Sequence, residues 1–235
     1  MKNSRMYCFP YAGGGISTYA EWGKYFGKHI DICPIQLPGR GALILERPLC
    51  TIAEIIGFIM DQITFDENIP FFFMGHSMGS LIAYELCHHL RENGLFMPKG
   101  LIASAFNAPR HKKEAPLLHR SSDSELIESL MKYNGTPVEI LDNMELMEFI
   151  LPTIRADFAA VETYEYTFRQ KLDIPILVLA GAQDPYTSDQ KLRGWHDETN
   201  GKVSVRYFDG DHFFINSNRM EIVRYLQEKY SNNSF

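Results

Sequence analysis

Apolar residues along this chain form two kinds of pattern, which are short continuous runs and longer stretches with helical spacing. The runs predict six strands: Arg5–Phe9, Asp31–Gln36, Phe71–Met74, Gly100–Ala105, Ile174–Ala180 and Val203–Phe208. Helical spacing follows several of these strands, at Ile52–Thr64, Met78–Glu92 and Arg219–Lys229. The runs Phe71–Met74 and Ile176–Leu179 lack polar alternation, as is typical of central parallel strands covered on both faces. This alternation of strands and helices predicts an α/β fold with a mostly parallel, doubly wound sheet.

The segment between Ala108 and Leu172 departs from that alternation, because it has helical patterning but no convincing strand. The sheet does not need these residues, and an insertion of this size after a strand is typical of a lid over the carboxyl ends of the strands. A length of 235 residues suits one large α/β domain better than two. We therefore expect residues 1–235 to form a single domain with a lid insertion at about 108–172.

The composition argues against several classes of protein. With 45% hydrophobic and 22% charged residues, the chain has the balance of an ordinary globular protein and not of a disordered one. The net charge of −6 argues against a uniformly basic nucleic-acid binder, because phosphate contacts need clustered cations. No apolar run approaches the roughly 18 to 20 residues that cross a bilayer, and the N-terminus has no signal-peptide core. From the charge and the lack of a long apolar run, we expect a protein that binds neither nucleic acid nor membrane. The four cysteines show no CxxC pairing, so we expect reduced thiols in a cytoplasmic protein.

The segment Gly75–Gly79 matches the pattern GxSxG. It follows the run Phe71–Met74 and opens the helix Met78–Glu92, which is the strand–turn–helix setting of a nucleophile elbow. Glycine is needed at both ends of such a tight turn, because side chains there would collide with neighbouring backbone. Ser77 is then held where the helix N-terminus stabilises developing negative charge. The alternative interpretation is a helix N-cap serine between two glycines.

A serine nucleophile needs a base, and the base needs an acid to orient it. His212 lies in a loop after the strand Val203–Phe208, and Asp184 lies just past the strand Ile174–Ala180. Both loops would leave the same carboxyl edge of the sheet as Ser77, and the order Ser, Asp, His is that of α/β-hydrolases. Asp184 precedes a proline and is also a turn former, a role compatible with the catalytic one.

Other carboxylates fit the role of the acid less well. Asp209 and Asp211 are too close to His212 along the chain to orient its ring easily, so we expect them to shape its loop. The strand Gly100–Ala105 is followed by Phe106–Ala108, which contains no carboxylate. This absence strengthens the assignment of Asp184.

Hydrolysis also requires donors for the oxyanion. One is expected to be the backbone N–H of Met78, and the second should come from the loop after the first strand. That loop, within Phe9–Gly15, is rich in glycines that let main chain approach a substrate closely. Ala12 is our first choice for the second donor and Gly13 the next. A phosphate-cradling loop is the rival interpretation, but no Gly-Lys-Ser/Thr follows and the glycines do not fit GxGxxG.

Taken in order, five segments resemble the motifs of one family: Phe9–Gly14, Gln36–Gly41, Gly75–Gly79, Gly181–Asp184 and Gly210–Phe214. The chain is similar to the type II thioesterases that accompany nonribosomal peptide and polyketide synthases. The resemblance spans nearly the whole chain, and the N-terminal FPYAGG and the late GDHFF are its most distinctive parts.

This resemblance implies an α/β-hydrolase fold with a helical lid and hydrolysis of acyl thioesters on the phosphopantetheine arm of carrier proteins. It implies editing in trans and no metal or redox cofactor. Carried over by motif, Ser77 is the nucleophile, His212 the base and Asp184 its partner. We expect a free-standing monomer whose partners are acyl or peptidyl carrier proteins. The rival functions are a serine esterase or acyltransferase acting on small-molecule esters, and a catalytically silent binding module.

Several features keep two interpretations. The family often has a second arginine after the one that corresponds to Arg40, and this chain lacks it. Arg40 itself either contacts a phosphate or pins its turn by hydrogen bonds. The basic segment Pro109–Arg120 either steers acidic carrier proteins or is a solvated loop. Some insertion residues either line an acyl channel or form the core of the lid: Met131, Leu141, Met144, Met147, Phe149, Phe158 and Tyr164.

Overall fold

A computed structural model describes residues 4–27, 29–63, 65–111 and 117–231. Its strands are β1 (Ser4–Phe9), β2 (Ile30–Pro34), β3 (Phe71–His76), β4 (Leu101–Ser104), β5 (Ile176–Gly181) and β6 (Val203–Phe208). They form one six-stranded sheet in the order β2-β1-β3-β4-β5-β6, and all neighbouring strands run parallel. All six predicted strands are present, and their ends differ from the predicted ones by at most two residues.

Helices cover both faces of this sheet. Those of the described residues are α1 (Trp22–Phe26), α2 (Ile52–Gln62), α3 (Met78–Glu92), α4 (Asp123–Tyr133), α5 (Val138–Leu141), α6 (Met144–Glu162), α7 (Asp189–Arg193), α8 (Phe214–Ser217) and α9 (Arg219–Ser231). Apolar residues of α2 and α3 pack on one face, and those of α1, α8 and α9 pack on the other. The prediction of a parallel, doubly wound α/β sheet is therefore confirmed. The predicted end of α2 at Thr64 lies outside the described residues.

Burial on both faces explains why the central strands lack polar alternation. All six residues of β3 are buried, as are all six of β5. Along β3 the side chains of Phe71 and Phe73 enter the core beneath α2 and α3, whereas Phe72 and Met74 enter the core on the opposite face. Since neither face meets water, both sets of alternate positions have to be apolar.

The order of the strands creates a crevice at the carboxyl end of β1. Its neighbours β2 and β3 lie on opposite sides of it, so the connections leaving β1 and β2 cross to different sides. In open α/β sheets the space outside the strand ends at such a switch point is the usual binding crevice. The loops that follow β1 and β3 both open into this crevice.

Between β4 and β5 the chain forms the α4–α6 insertion, which we define as residues 117–162. It has an apolar cluster of its own: Leu118, Leu126, Leu130, Leu141, Met147, Leu151, Ile154 and Phe158. A capping box of Ser122 and Glu125 starts α4, and Asn134 ends it in the left-handed conformation with φ of 59°. The structure describes no strand within the insertion. Among all the described helices, none combines the length and apolar character that a membrane span requires.

The capping box at the start of α2 provides a local test of the fold. The Thr51 hydroxyl accepts from the Glu54 amide at 3.2 Å, and Thr51→Ala leaves that amide to water. We expect the free energy of unfolding to fall by about 1 kcal/mol, measured by urea denaturation. Gln62→Ala, at the exposed far end of the same helix, is the matched control and should change it by less than about 0.5 kcal/mol. Equal losses in the two variants would refute the capping role.

Candidate active site

Ser77 occupies the sharp turn between β3 and α3 with a φ of 53°, a value that side-chain-bearing residues rarely adopt. The backbone is closely packed on both sides of it. A Cβ atom on Gly75 would overlap the carbonyl group of Gly79, and one on Gly79 would overlap the carbonyl group of Phe9. The Ser77 amide donates to the Ser104 carbonyl at 2.8 Å, which holds the turn against the end of β4. This geometry projects the Ser77 side chain at the carboxyl edge of the sheet.

His212 and Asp184 reach the same edge from the loops after β6 and β5. His212 Nε2 lies 3.0 Å from Ser77 Oγ, and His212 Nδ1 lies 2.9 Å from Asp184 Oδ2. An ionised Asp184 only accepts hydrogen bonds, so Nδ1 donates to it and Nε2 is left to accept from the Ser77 hydroxyl. Asp184 Oδ1 accepts the Tyr186 amide at 2.9 Å, which fixes the carboxylate. The structure thus brings together the three side chains singled out from the sequence.

Two residues that line the cavity beside Ser77 have backbone N–H groups without an intramolecular role among the described residues. They are Met78, the first residue of α3, and Ala12, in the loop after β1. Across the part of the chain that the structure describes, neither N–H has a hydrogen-bond acceptor. The Gly13 amide, our second choice from the sequence, donates instead to Asp157 Oδ2 at 2.7 Å. Ala12 is therefore better placed than Gly13 to donate to a bound oxyanion.

A cavity of about 890 Å³ lies between Ser77 and the α4–α6 insertion. Its insertion side is largely apolar: Leu130, Tyr133, Ile140, Ile150, Ile154, Phe158 and Val161. Its other end carries polar and charged groups, among them Arg110, Glu165, Tyr166 and Lys191. The volume falls within the range typical of small-molecule sites. Within the described ranges, no cluster of three or more His, Cys, Asp or Glu residues is arranged to hold a metal ion.

The insertion residues singled out from the sequence divide into three groups. Tyr164 lines the cavity, as the acyl-channel interpretation expects, and Phe158 lines it while also belonging to the apolar cluster of the insertion. Leu141 and Met147 lie in the apolar cluster of the insertion, as the lid-core interpretation expects. The remaining three are exposed and do neither: Met131, Met144 and Phe149.

Aromatic rings enclose His212 on the cavity side. Tyr133, at the end of α4, stacks on Tyr186 with ring centroids 4.1 Å apart. Each ring packs edge-to-face with the His212 imidazole, with ring centroids 5.7 Å apart for Tyr133 and 5.4 Å apart for Tyr186. Asn134 Nδ2 then donates to Asp211 Oδ2 at 2.9 Å, so the insertion also binds the loop that carries His212. These contacts limit the access of water to the imidazole.

His76 is a further polar residue of the site that was not among the predicted ones. Its Nε2 lies 2.9 Å from the backbone oxygen of His212, and its Nδ1 lies 2.9 Å from Ser104 Oγ. A carbonyl only accepts, so Nε2 carries the proton and Nδ1 accepts from the Ser104 hydroxyl. Complete burial lowers the pKa of His76 well below its usual 6.5 and keeps the ring neutral. His76 therefore links the end of β4 to the loop that holds His212.

The structure also bears on the basic residues. Arg40 is buried, and its guanidinium binds the carboxylate of Asp157, so it pins its turn and is not available to a phosphate at the surface. In the basic segment, Arg110 pairs with Asp197 at 2.9 Å and with Glu198 at 2.8 Å. Lys112, Lys113 and Glu114 of that segment lie outside the described residues.

Comparison with known proteins gives a consistent family. A family model described as "Thioesterase domain" matches residues 4–230. The gramicidin S biosynthesis protein GrsT of Aneurinibacillus migulanus is 36% identical, over 94% of this chain and 87% of its own length. RedJ, a thioesterase from the prodiginine pathway of Streptomyces coelicolor, has a TM-score of 0.89 and 31% identity, over 97% of this chain and 86% of its own. YbtT, described as a type II thioesterase from the yersiniabactin NRPS/PKS pathway, has a TM-score of 0.83 and 31% identity, over 95% and 92%.

We predict that His76 stays neutral across the range in which histidine ordinarily titrates. Because burial lowers its pKa well below 6.5, the ring should carry its proton only on Nε2 between about pH 5 and 8. Nitrogen-15 NMR of the imidazole measures this tautomer directly. In the unfolded chain the ring takes up a second proton near pH 6.5, whereas the folded ring stays neutral. The free energy of unfolding should therefore decrease as the pH falls below that value. A ring that titrates near pH 6.5, or one protonated on Nδ1, would contradict the assignment.

Proposed function

The chain belongs to the thioesterase domain family, and from that membership we propose that it is a type II thioesterase of nonribosomal peptide or polyketide synthesis. Its substrates are acyl thioesters on the phosphopantetheine arms of carrier proteins, and its product is the carrier with a free thiol. The observation that carries this proposal is the hydrogen-bonded series Ser77, His212 and Asp184, which opens on a cavity whose insertion side is largely apolar. The pathway assigned to YbtT and the biosynthetic role in the name of GrsT support the choice of substrate class.

The proposed reaction begins at the Ser77 hydroxyl. His212 Nε2, 3.0 Å from Ser77 Oγ, takes the hydroxyl proton as the oxygen attacks the thioester carbonyl. Asp184 holds the imidazole in the tautomer that can accept this proton and stabilises the imidazolium that forms. The negative charge that develops on the carbonyl oxygen is bound by the N–H groups of Met78 and Ala12.

Collapse of this tetrahedral species expels the pantetheine thiol and leaves an acyl group on Ser77. A thiol is a better leaving group than an amine, so this step asks less of the protonated His212 than peptide cleavage would. Water activated by His212 then releases the acid and restores the enzyme. The apolar wall supplied by the insertion accommodates the acyl chain, and we propose that the α4–α6 insertion acts as a lid over it.

Two further expectations belong to the same proposal. None of the four cysteines, all of which lie within the described residues, forms a disulfide bond, and Cys8 and Cys87 are buried, which suits a reducing compartment. We therefore propose that the protein works in the cytoplasm, as a monomer that meets carrier proteins transiently. It requires no cofactor in the proposed mechanism, because Ser77, His212, Asp184 and the two amides supply the nucleophile, base, acid and oxyanion donors.

A serine esterase that acts on small-molecule oxygen esters is the second candidate, since the same side chains would serve both reactions. The test compares acetyl- and longer acyl-phosphopantetheinyl carrier protein with an oxygen ester of the same acyl chain. We expect turnover of the carrier thioester and a loss of at least about 10³-fold in Ser77→Ala. Cleavage of the oxygen ester alone would replace the proposal with a general esterase. If neither substrate were cleaved, a silent binding module would take its place.

Asp184→Asn tests the proposed role of the carboxylate. An amide in that position favours the wrong histidine tautomer, so we expect kcat to fall by about 10⁴-fold with little change in fold. Circular dichroism checks the fold and initial rates on the carrier thioester give kcat. Asp209→Asn, an exposed carboxylate three residues before His212, is the matched control and should keep wild-type kcat. Similar losses in both variants would indicate damage to the loop and not loss of the orienting acid.

A further inference from the structure

Arg40 and Asp157 form a buried ion pair that joins the turn after β2 to helix α6 of the insertion. Arg40 Nη1 lies 2.6 Å from Asp157 Oδ2, and Nη2 lies 2.7 Å from Asp157 Oδ1. The side chains are 10% and 1% exposed. This bidentate contact fixes the orientation of both groups, because the planar guanidinium matches the two carboxylate oxygens.

Both members of the pair also bind the backbone of the loop after β1. Asp157 Oδ2 accepts the Gly13 amide at 2.7 Å, and Arg40 Nη1 donates to the Gly14 carbonyl at 2.9 Å. Ile154, one turn before Asp157 on the same face of α6, packs against the same glycine. Helix α6 and the turn after β2 thus meet on two successive residues of this loop.

The loop itself is a tight turn over residues 11–14, which we call the oxyanion turn. The Gly14 amide donates to the Tyr11 carbonyl at 2.8 Å, and Gly13 has a φ of 77°, as the third residue of a type II turn requires. The Tyr11 carbonyl shares its peptide plane with the Ala12 N–H, and in a trans peptide the two point in opposite directions. Holding the carbonyl inside the turn therefore directs the Ala12 N–H outward, towards the cavity.

From this arrangement we infer that Asp157 and Arg40 are positioning residues for the oxyanion site. They hold the last two residues of the oxyanion turn and so fix the direction of the Ala12 N–H. The inference rests on the proposed function, because it takes that N–H as a donor to the oxyanion. Helix α6 is then part of the catalytic framework. A lid that moved as one unit would carry Asp157 away from the oxyanion turn.

The burial of the pair favours this role over a purely stabilising one. Removing two charges from water is expensive, and apolar residues of similar size often stabilise a fold equally well. An apolar pair would offer no acceptor to the Gly13 amide and no donor to the Gly14 carbonyl. The charged groups are therefore needed for the direction of the backbone more than for the stability of the contact.

The test substitutes Asp157→Asn, which keeps the size of the side chain and removes the charge that both Arg40 and Gly13 use. We expect kcat on an acyl thioester to fall by about 10- to 100-fold, less than the loss of a complete donor, while KM stays within about threefold. Hydrogen exchange of the Gly13 amide should become faster. The affinity for an alkylboronic acid, which forms a tetrahedral anion on the serine, should fall in parallel with kcat.

Thr153→Val is the matched control on the same helix. It removes the hydrogen bond from the Thr153 hydroxyl to the Gly39 carbonyl, at 2.8 Å, without touching the oxyanion turn. Wild-type kcat and Gly13 exchange in this variant, with both altered in Asp157→Asn, would support the inference. Equal changes in the two variants would overturn it, because a general loosening of α6 would then account for the effect.

Other outcomes separate this inference from the proposed function. If the wild-type protein cleaved no acyl thioester or ester, the proposed function would fail, and Gly13 exchange would still decide whether the pair holds the turn. Wild-type kcat in a folded Asp157→Asn would overturn the inference alone. Should that variant fail to fold, Arg40→Lys decides instead, because lysine keeps the charge but cannot make the bidentate contact with Asp157. It should lower kcat at unchanged KM, and wild-type kcat in it would overturn the inference.

Discussion

The close approach of Gly79 to the backbone at the end of β1 is the constraint on which the rest of the site depends. A Cβ atom there would overlap the carbonyl group of Phe9, so only glycine lets the start of α3 press against the neighbouring strand. This contact sets Ser77 and Met78 beside the loop that continues from Phe9. The proposed nucleophile and both proposed oxyanion donors are thereby placed in one crevice, at the point where the strand order reverses.

The remaining parts of the site are fixed by contacts that reach across the carboxyl edge of the sheet. His76 connects the end of β4 to the His212 backbone, and a Cβ on Gly181 would overlap the Asp211 carbonyl, so the loops after β5 and β6 pack tightly together. The insertion contacts both the oxyanion turn and the loop that carries His212. Asp157 on α6 binds the oxyanion turn, while α4 reaches the His212 loop through Asn134. The cavity lies between these two attachments.

Much of the fold could be predicted because its signals are local. A strand buried on both faces has to be apolar at successive positions, and β3 shows this directly in its six buried residues. The turn at Ser77 needs glycine on both sides, so GxSxG after an apolar run marks it in the sequence. The carboxyl ends of parallel strands meet at one edge of the sheet, and this rule predicted that Asp184 and His212 lie near Ser77. The choice between Ala12 and Gly13 needed the structure, because the partner that occupies the Gly13 amide lies on α6.

The sequence by itself therefore determined the parallel sheet, the turn that carries Ser77, and the choice of Asp184 and His212 as its neighbours. Tertiary structure alone decided the pairing of Arg40 with Asp157, 117 positions later, and of His76 with the backbone of His212, 136 positions later. It also decided which insertion residues face the cavity and which form the insertion's own core. The physical reason is that a hydrogen bond between distant elements depends on where two backbones meet. Neither the strand period nor the helix period records that meeting point.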